Sequence, residues 1–505
     1  MRRLFFLGIA FALQSAAVVA QARSFTSPLS LRSDDPRLVG AFTWARAQAT
    51  AYAVDGDAVG PWFEAALPGR AAFCMRDVAH QAVGAHALGM QVHLRNMLGR
   101  FVASISAERD WAGYWEIDRH GQPAHADYRN DRDFWYNLPA NFDLLDASWR
   151  MYLWSGNRDY VTDGAFLHFY DRTVTEYVAR WQLGPESVMT RPRMMNAPTA
   201  NDPDARFSGN RGIPGYNEET DDFTVGLDLL AAQYAGFAAY ARIREVRGDL
   251  AGARTWLAKA GEVKALVNGR WWDERTRTFH DFLSTSQVLG HRGPNAWNSA
   301  ALYWPVAAEG PQTLGALEAL REQVRTSPPA PIEEQSHHPE VLYRYGAATE
   351  AYAELLSLSA GSRARREYPE VSFSVVGAIV TGVMGIGVDP VVPGHETELL
   401  RYFDNPAIMT LAQLPPAASF VELQHLGVRG NDVTVRHEGR RSTAFTNHRG
   451  PALVWQAAFA GRHTTLQVNG ASVKATTMLL PAGREVSVAR VVVAPGTTGR
   501  VSVGR

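Results

Sequence analysis

The chain has 505 residues, of which 46% are hydrophobic and 20% charged, and its formal net charge is −1. This composition is typical of a globular protein with a large core, and the near-neutral charge gives no basic field for nucleic acid or for an anionic membrane. A single cysteine excludes a disulfide framework. The sequence contains no HExxH motif, P-loop or dinucleotide-binding fingerprint, so no cofactor or metal is expected.

Residues 1–22 are predicted to form a secretory signal. Arg2 and Arg3 precede the apolar run Leu4–Leu13, and Ala20-Gln21-Ala22 offers a cleavage site between small residues. We therefore expect a periplasmic or secreted bacterial protein. The later apolar stretch Val375–Val388 is too short to span a bilayer.

Residues 23–388 are predicted to be a helical domain. At helical spacing Asp77, His80 and Gln81 fall on one face of a helix predicted from Phe73 to about Ile105. A capped helix end is the alternative interpretation of these polar residues. The other predicted helices are Asp35–Val54, Leu138–Trp154, Val161–Leu183, Asp222–Arg247, Leu250–Arg270, Pro294–Ala307, Gln312–Thr326, Tyr345–Ser359 and Ser372–Met384. The segment Trp271–Leu283 is predicted to be a hairpin.

The helices come mostly in pairs joined by short turns, which indicates helical hairpins arranged in a ring. One connection, Asp110–Asn137, is rich in Trp and Tyr, although loops are usually small and polar. It is either a lid packed by its own aromatic rings or a wall of a sugar pocket, because sugar CH faces stack on aromatic rings.

Residues 389–505 are predicted to form a linker and an antiparallel β-sandwich. The segments are short, often β-branched, and separated by Gly, Asn and Pro. The predicted strands are Val433–Arg436, Ser442–Asn447, Leu453–Ala460, His463–Val468 and Glu485–Val493.

Three stretches resemble the six-hairpin, (α/α)6-barrel glycosidases: the turn Ser155–Tyr160 between two helices, the helix and Trp-rich hairpin Ala265–Phe282, and Thr381–Asp389 before a β-domain. The resemblance implies a mainly α protein, an (α/α)6 toroid of helical hairpins followed by a C-terminal antiparallel β-sandwich. This superfamily includes α-L-rhamnosidases and unsaturated glucuronyl hydrolases, and it neighbours the toroidal polysaccharide lyases. The implied function is a glycoside hydrolase, of the inverting type, acting on a polysaccharide or oligosaccharide.

Glycoside hydrolysis needs two carboxyl groups, which in an inverting enzyme stand about 6.5–9.5 Å apart. We predict Glu219 as the acid and Glu334 as the base, with Glu218 and Glu333 as close alternatives. Asp77 is a third candidate, either for catalysis or for holding sugar hydroxyls. Each pair also has a purely structural interpretation. In it, Glu218 and Glu219 belong to a helix cap with acids in its first turn, and Glu333 and Glu334 to a solvated loop.

The remaining candidate residues are expected to bind the sugar. Arginine presents a fork that suits the carboxylate of a uronic acid, and aromatic rings suit the sugar face. The predicted binding residues are Arg76, His80, Gln81, Trp115, Glu116, Trp135, Tyr136, Arg211, Trp297, Asn298, His337 and His338.

Three functions follow in order of preference. The first is a secreted exo-acting glycosidase that removes a terminal sugar, either a uronic acid or a deoxy sugar. The second is a polysaccharide lyase that uses His337, His338, Tyr343 and Asn137. The third is a non-catalytic carbohydrate-binding protein. The sequence leaves the oligomeric state open.

Overall fold

The computed structural model describes residues 25–192, 211–216, 223–291, 299–326, 331–388, 398–399 and 406–504. The predicted signal at 1–22 and the candidate residues Glu218, Glu219, Trp297 and Asn298 lie outside the described residues. Among the described residues, no helix combines the length and the apolar character needed to cross a bilayer.

Helices dominate the first part of the chain. They are α1 (Pro36–Ala51), α2 (Met75–Ala87), α3 (Gln91–Ala103), α4 (Pro139–Ser155), α5 (Asp159–Thr162), α6 (Gly164–Arg172), α7 (Val178–Arg180), α8 (Leu227–Val246), α9 (Leu250–Leu266), α10 (Ala300–Tyr303), α11 (Pro311–Thr326), α12 (Ile332–Gln335), α13 (His338–Arg344), α14 (Ala348–Ser359) and α15 (Pro369–Ala378). Single π-helical turns follow α6, α9 and α15.

Burial divides these helices into two layers. Nearly every residue of α2, α4, α8 and α15 is buried, whereas α1, α3, α9 and α11 bury one face only. Helix α2 packs between α15 and α4, α4 packs against α8, α8 against α10, and α15 against α13. A helix buried all round belongs to the interior, so the first group forms an inner layer and the second an outer layer.

Two glycines shape the helix that carries Asp77 and His80. Gly89 has a φ of +95°, which ends α2 and starts α3, so the single helix predicted to run to about Ile105 is wrong. A Cβ added to Gly84 would lie 2.0 Å from the backbone oxygen of Phe373 in α15. Only glycine therefore permits the close approach of α2 and α15.

Other predicted helices are shorter than expected. The segment Phe223–Gly226 is a strand rather than helix, and α8 begins only at Leu227. The predicted helix Val161–Leu183 is interrupted at Asp163, whose side chain accepts a hydrogen bond from the amide of Ala165 and caps α6. In the described part of the predicted helix Pro294–Ala307, only Ala300–Tyr303 is helical. Local capping thus overrides the apolar periodicity that predicted longer helices.

Short strands lie between the helices of the helical domain, and longer strands form the C-terminal domain. They are β1 (Ser30–Ser33), β2 (Ala53–Val54), β3 (Trp62–Phe63), β4 (Ala72–Cys74), β5 (Glu116–Asp118), β6 (Tyr128–Asn130), β7 (Asp133–Phe134), β8 (Tyr136–Asn137), β9 (Arg211–Ile213), β10 (Phe223–Gly226), β11 (Trp272–Asp273), β12 (Thr278–Phe279), β13 (Phe282–Ser284), β14 (Leu289–Gly290), β15 (Ile408–Leu411), β16 (Phe420–Val428), β17 (Asn431–Glu438), β18 (Ser442–Arg449), β19 (Leu453–Ala460), β20 (Thr465–Val468), β21 (Ala471–Lys474), β22 (Thr476–Leu480), β23 (Arg484–Val493) and β24 (Thr497–Val503).

The C-terminal domain consists of two packed sheets. The first has seven strands in the order β1-β16-β17-β18-β24-β20-β21, and the second has four in the order β15-β19-β23-β22. Phe445 of the first sheet stacks on Trp455 of the second at 5.4 Å between ring centroids. The predicted strands are confirmed, but β15 runs parallel to β19, so the sandwich is not purely antiparallel.

The first described strand, β1, belongs to the C-terminal sheet. It pairs antiparallel with β16, with Ser30 opposite Gln424 and Ser33 opposite Val421. Residues 30–33 fall within the range predicted for the helical domain, yet they extend the β-domain at its edge. The two parts of the chain are thus joined at both ends of the helical domain.

Candidate active site

The site lies where the N-terminal ends of inner-layer helices meet. Asp77 is in the first turn of α2, Asp143 lies near the start of α4, Glu370 is in the first turn of α15, and His337 directly precedes α13. Proline occupies a first-turn position of α4 and α15, where its missing N–H costs nothing. The positive end of a helix dipole favours a carboxylate, which suits the acidic residues gathered here.

We name His80, Asp143, His337 and Glu370 the inner cluster. The Nε2 atom of His80 lies 2.6 Å from Oδ2 of Asp143, and its Nδ1 atom lies 3.7 Å from Oε1 of Glu370. The Nε2 atom of His337 lies 3.2 Å from the same Glu370 oxygen. The two imidazole rings meet edge to face at 4.4 Å. Both histidines are therefore held by carboxylates from other helices.

The two histidines of the inner cluster differ in protonation. Burial would lower the pKa of His80, but the charge and hydrogen bond of Asp143 raise it to about 9. For His337, burial and the nearby charge of His80 lower the pKa to about 4. Burial also opposes ionisation of Glu370, yet its contacts with His337 and His80 hold its pKa well below the ordinary value. At neutral pH the cluster therefore contains a charged His80, a neutral His337 and an ionised Glu370.

Asp77 is the group in this site that titrates near neutrality. Burial raises the pKa of its carboxyl to about 7, with Glu370 raising it further and Arg76 opposing both. The Nη2 atom of Arg76 lies 3.5 Å from Oδ1 of Asp77. A buried carboxyl with a pKa near the working pH can hold a proton and deliver it, as a general acid must.

Aromatic rings frame the charged groups. Tyr216 donates a hydrogen bond from its hydroxyl to Oδ2 of Asp143 at 3.1 Å, and its ring stacks on Trp304. The guanidinium of Arg76 lies 5.5 Å above the same Tyr216 ring. Tyr303 packs its ring edge-on to His80, and Trp115 lies tilted against Tyr216. These rings come from loops and from α10, so several segments converge on the inner cluster.

Several enclosed polar atoms in this site accept or donate no hydrogen bond within the described residues. They include Oε1 and Nε2 of Gln81, Oδ1 of Asp143 and Oε2 of Glu370. Buried polar atoms in folded proteins nearly always have a partner. A hydroxyl-rich ligand or ordered water would supply what these amide and carboxylate atoms need.

The structure therefore brings together Arg76, Asp77, His80 and His337, which the sequence predicted, beside the predicted Gln81. It places Glu334 elsewhere. That carboxylate receives a hydrogen bond from Gln323 of α11 and lies 3.7 Å from His338, which itself contacts Glu354. Glu333 pairs with the half-exposed Arg365. No described contact joins the carboxylate of either glutamate to the inner cluster, although the backbone oxygen of Glu334 accepts a hydrogen bond from the amide of His337.

The predicted residues of the aromatic loop have mainly local partners. Glu116 shares Arg70 with Asp127, at 2.8 and 2.9 Å from the same nitrogen, and burial followed by Asp127 raises its pKa to about 9. Trp135 donates a hydrogen bond to Asn137, and Tyr136 is buried against Asn141. Of this group, Trp115 contacts the site, through Tyr216.

The remaining predictions are dispersed. Arg211 pairs with Asp110 at 3.1 Å. Asn137 donates a hydrogen bond to the backbone of Gly215, and Tyr343 packs below Gly382 of the inner layer. Of the four residues predicted for a lyase, His337 alone belongs to the inner cluster. No described contact brings all four together.

Sequence reasoning missed Asp143, Glu370, Tyr216, Tyr303 and Trp304. Asp143 could have been noticed as a lone acid inside the apolar helix start Leu138–Leu145. Glu370 follows Pro369 at a helix start, which is a recognisable first-turn signal. Nothing in the sequence marks the three aromatic residues as different from other core rings.

The inner cluster also offers ligand atoms for a metal ion. His80, His337 and Glu370 each present one such atom, all within 4.8 Å of one another. The same atoms also form the ion pairs described above, in which Asp143 and Glu370 face His80 and Glu370 faces His337.

Comparison with solved structures shows that this fold is shared with glycoside hydrolases. An alpha-L-rhamnosidase from Dictyoglumus thermophilum matches with a TM-score of 0.57 and 11% identity, over 94% of this chain and 50% of that chain. A GH78 family rhamnosidase of Bacillus sp. GL1 matches with a TM-score of 0.54 and 10% identity, over 84% and 41% of the two chains. The alpha-L-rhamnosidase from Aspergillus terreus matches with a TM-score of 0.51 and 10% identity, over 94% of this chain and 51% of that chain.

The chain spans about half of the length of these three structures, or less. No protein-family model matches the sequence, and no curated protein matches it. At such low identity the similarity shows a glycoside hydrolase-like fold, a helical domain with a β-domain, and leaves the chemistry to be argued from the site.

Proposed function

We propose that the protein is a secreted, inverting exo-glycoside hydrolase that removes a terminal sugar from a polysaccharide or oligosaccharide. The observation that carries the proposal is Asp77, a buried carboxyl with a pKa of about 7 beside Arg76 and the inner cluster. The fold shared with rhamnosidases supports the same conclusion. In this proposal the inner-layer and outer-layer helices close into an (α/α)6 toroid, with residues 23–388 as the catalytic domain and a signal at 1–22.

Asp77 is the proposed general acid. It would protonate the oxygen of the leaving group, because burial raises the pKa of its carboxyl, Glu370 raises it further and Arg76 opposes both. The proposed base is Glu219 or its neighbour Glu218, which follow closely after Tyr216, a residue in contact with Asp143. This differs from the sequence-based expectation of Glu219 as acid and Glu334 as base, because the described partners of Glu334 are Gln323 and His338.

The polar atoms around Asp77 suit a sugar ring. Gln81 offers a donor and an acceptor that no described residue uses, and Asp143 and Glu370 each offer a carboxylate oxygen. Trp115, which lies tilted against Tyr216, adds an aromatic ring beside these atoms. The three solved structures named above are rhamnosidases, which supports a terminal deoxy sugar such as rhamnose. Arg76 supports the alternative of a uronic acid, because its fork matches a carboxylate.

The test is a panel of aryl glycosides and natural oligosaccharides that end in rhamnose, other deoxy sugars or uronic acids. We expect release of a saturated free sugar, with inverted anomeric configuration seen by NMR of the fresh product. A product that absorbs in the ultraviolet through a new double bond would establish a lyase instead. Binding without turnover of any substrate would establish a carbohydrate-binding protein.

Substitutions then test the roles. We expect Asp77→Asn to lower kcat by about 10²–10⁴-fold on oligosaccharides, and by much less on aryl glycosides, whose leaving groups need little protonation. Glu219→Gln should lower kcat on both substrate types. The matched control is Glu367→Gln, because that side chain is 63% exposed and, among the described residues, pairs with its neighbour Arg366. Equal activity of Asp77→Asn and the wild-type protein on oligosaccharides would contradict the assignment.

A further inference from the structure

A second group of histidine and carboxylate side chains lies outside the inner cluster. Asp273 is in β11, His280 follows β12 of the same hairpin, and His291 follows β14. Each residue offers one ligand atom, and these atoms all lie within 4.8 Å of one another. We name these three residues the surface cluster, because Asp273 and His280 are half-buried and His291 is exposed.

The separation between Asp273 and His291 matches the spacing of two ligands on one metal ion. Nε2 of His291 lies 3.4 Å from Oδ2 of Asp273, at the long end of hydrogen-bond distances. Two ligands of a tetrahedral zinc ion, each about 2.1 Å from the metal, stand about 3.4 Å apart. The rings of His280 and His291 lie 4.5 Å apart and 34° from parallel, so small rotations aim both at one point.

The carboxylate of Asp273 is already fixed for coordination. Its Oδ1 atom accepts hydrogen bonds from the backbone amides of Arg275 and Thr276, which leaves Oδ2 facing His291. Arg275 also reaches toward Oδ2, at 3.7 Å, but its side chain is 82% exposed and held by no packing. A metal ion can therefore displace it without disturbing the hairpin.

A second carboxylate, that of Asp281, lies near His291. Oδ2 of Asp281 lies 3.8 Å from Nδ1 of His291, whereas Asp273 faces the other ring nitrogen, Nε2. A histidine that binds a metal usually donates its other ring N–H to such a carboxylate, which fixes the tautomer and strengthens the ligand. Asp281 is therefore placed to support His291 as a metal ligand, while Asp273 faces the other ring nitrogen.

One ring nitrogen of His280 needs a partner. Its Nδ1 atom is enclosed and has no hydrogen-bond partner among the described residues. Because a buried polar atom nearly always has a partner, this unpaired nitrogen suits a ligand atom of a metal site.

We infer that Asp273, His280 and His291 form a binding site for one divalent metal ion, with Zn²⁺ as the best match to two imidazoles and one carboxylate. Water fills the fourth position. The ion ties the β11–β12 hairpin to residue 291, ahead of α10, which carries Tyr303 of the candidate active site. The inference does not depend on the proposed function, because its evidence is the geometry of these three residues.

The test is equilibrium dialysis of the metal-free full chain against micromolar ZnCl₂, followed by elemental analysis. We expect one equivalent of zinc in the wild-type protein, and the absorption bands of a tetrahedral site when Co²⁺ replaces zinc. The double variant His280→Gln/His291→Asn should lose both signals. Asp281→Asn should retain the site but weaken the affinity by about 10–100-fold.

Two variants serve as controls. His448→Asn removes a surface histidine that is stacked at 5.4 Å on His425, which in turn faces Asp432, so it tests whether any surface His–His–Asp group binds zinc. His337→Asn tests binding at the inner cluster instead. Both controls should keep one equivalent of zinc. The inference is overturned if the wild-type protein binds no zinc, or if the double variant still binds it.

Discussion

Two groups of histidines and carboxylates occur in this molecule, and burial gives them different chemistry. In the inner cluster the side chains of His80 and Asp143 are 0% exposed, whereas the side chain of His291 in the surface cluster is 30% exposed. Asp143 raises the pKa of His80 to about 9, so a buried proton belongs to the ion pair. In the surface cluster burial lowers the pKa of His280, so its ring is neutral at pH 7. The same residue types thus serve as an internal charge pair in one place and as metal ligands in the other.

The physical reason is the cost of isolating a charge from water. A buried ion needs an opposite charge in contact, and removing either one leaves an uncompensated charge in a low dielectric. At the surface, water and salt screen each charge, so the partners depend on each other far less. Substitutions in each cluster test this difference between buried and exposed charges.

The largest effect is expected for Glu370→Gln in the inner cluster. This change removes the carboxylate that contacts both His80 and His337, and we expect the free energy of unfolding to fall by about 3–5 kcal/mol. Urea unfolding followed by tryptophan fluorescence measures it. The matched control is the exposed Glu367→Gln, which should stay within about 0.5 kcal/mol of the wild-type protein. Equal stability of the two variants would contradict the buried ion-pair network.

A smaller effect is expected from pH through His80. Its folded-state pKa of about 9 exceeds the unfolded value of 6.5, so its stabilising contribution is complete below pH 6.5 and is lost as pH rises through 9. We expect the wild-type protein to lose up to about 3 kcal/mol of stability between these values. Asp143→Asn should flatten this slope. Parallel slopes for the two proteins would show that Asp143 does not hold the proton on His80.

Activity should respond to pH through Asp77. A general acid works only when protonated, so kcat/KM should fall as pH rises through about 7, by about tenfold per pH unit beyond it. The profile of Asp77→Asn should lack this decline. Arg76→Gln should move the decline to higher pH, because Arg76 lowers the pKa of Asp77. A wild-type profile that is flat from pH 6 to 9 would exclude Asp77 as the acid.

The smallest effect is expected for His280→Gln in metal-free protein. The side chain is half-buried and forms no buried ion pair, so the free energy of unfolding should change by no more than about 0.5 kcal/mol. Added zinc should raise the melting temperature of the wild-type protein and leave that of the variant unchanged. A large loss of stability without metal would mean that His280 has a packing role.

Local patterns in the sequence predicted much of the fold. The strand Leu453–Ala460 has the predicted limits, and the hairpin within Trp271–Leu283 is present, because alternation and turn residues act over a few positions. Helix ends were less predictable. Gly89 and Asp163 stop helices that apolar periodicity would continue, since a cap or a left-handed residue outweighs weak propensity.

The site was predictable only on its α2 side. Asp77, His80 and Gln81 share a helix face by spacing alone, and the structure places them together. Their partners Asp143 and Glu370 come from helices far away in the chain, which no local pattern could identify. For Glu334 the sequence pattern was misleading, because its carboxylate contacts His338, four residues later in the chain.

The pairing of β1 with β16 has a consequence for synthesis of the chain. Ser30 and Gln424, which face each other in that ladder, are 394 residues apart. At a translation rate of about 5–20 residues per second, the first strand waits roughly 20 to 80 seconds for its partner to leave the ribosome. During that time the helical domain can fold, while the strand stays an unpaired edge. The ladder between β1 and β16 can therefore form only after the whole helical domain has been synthesised.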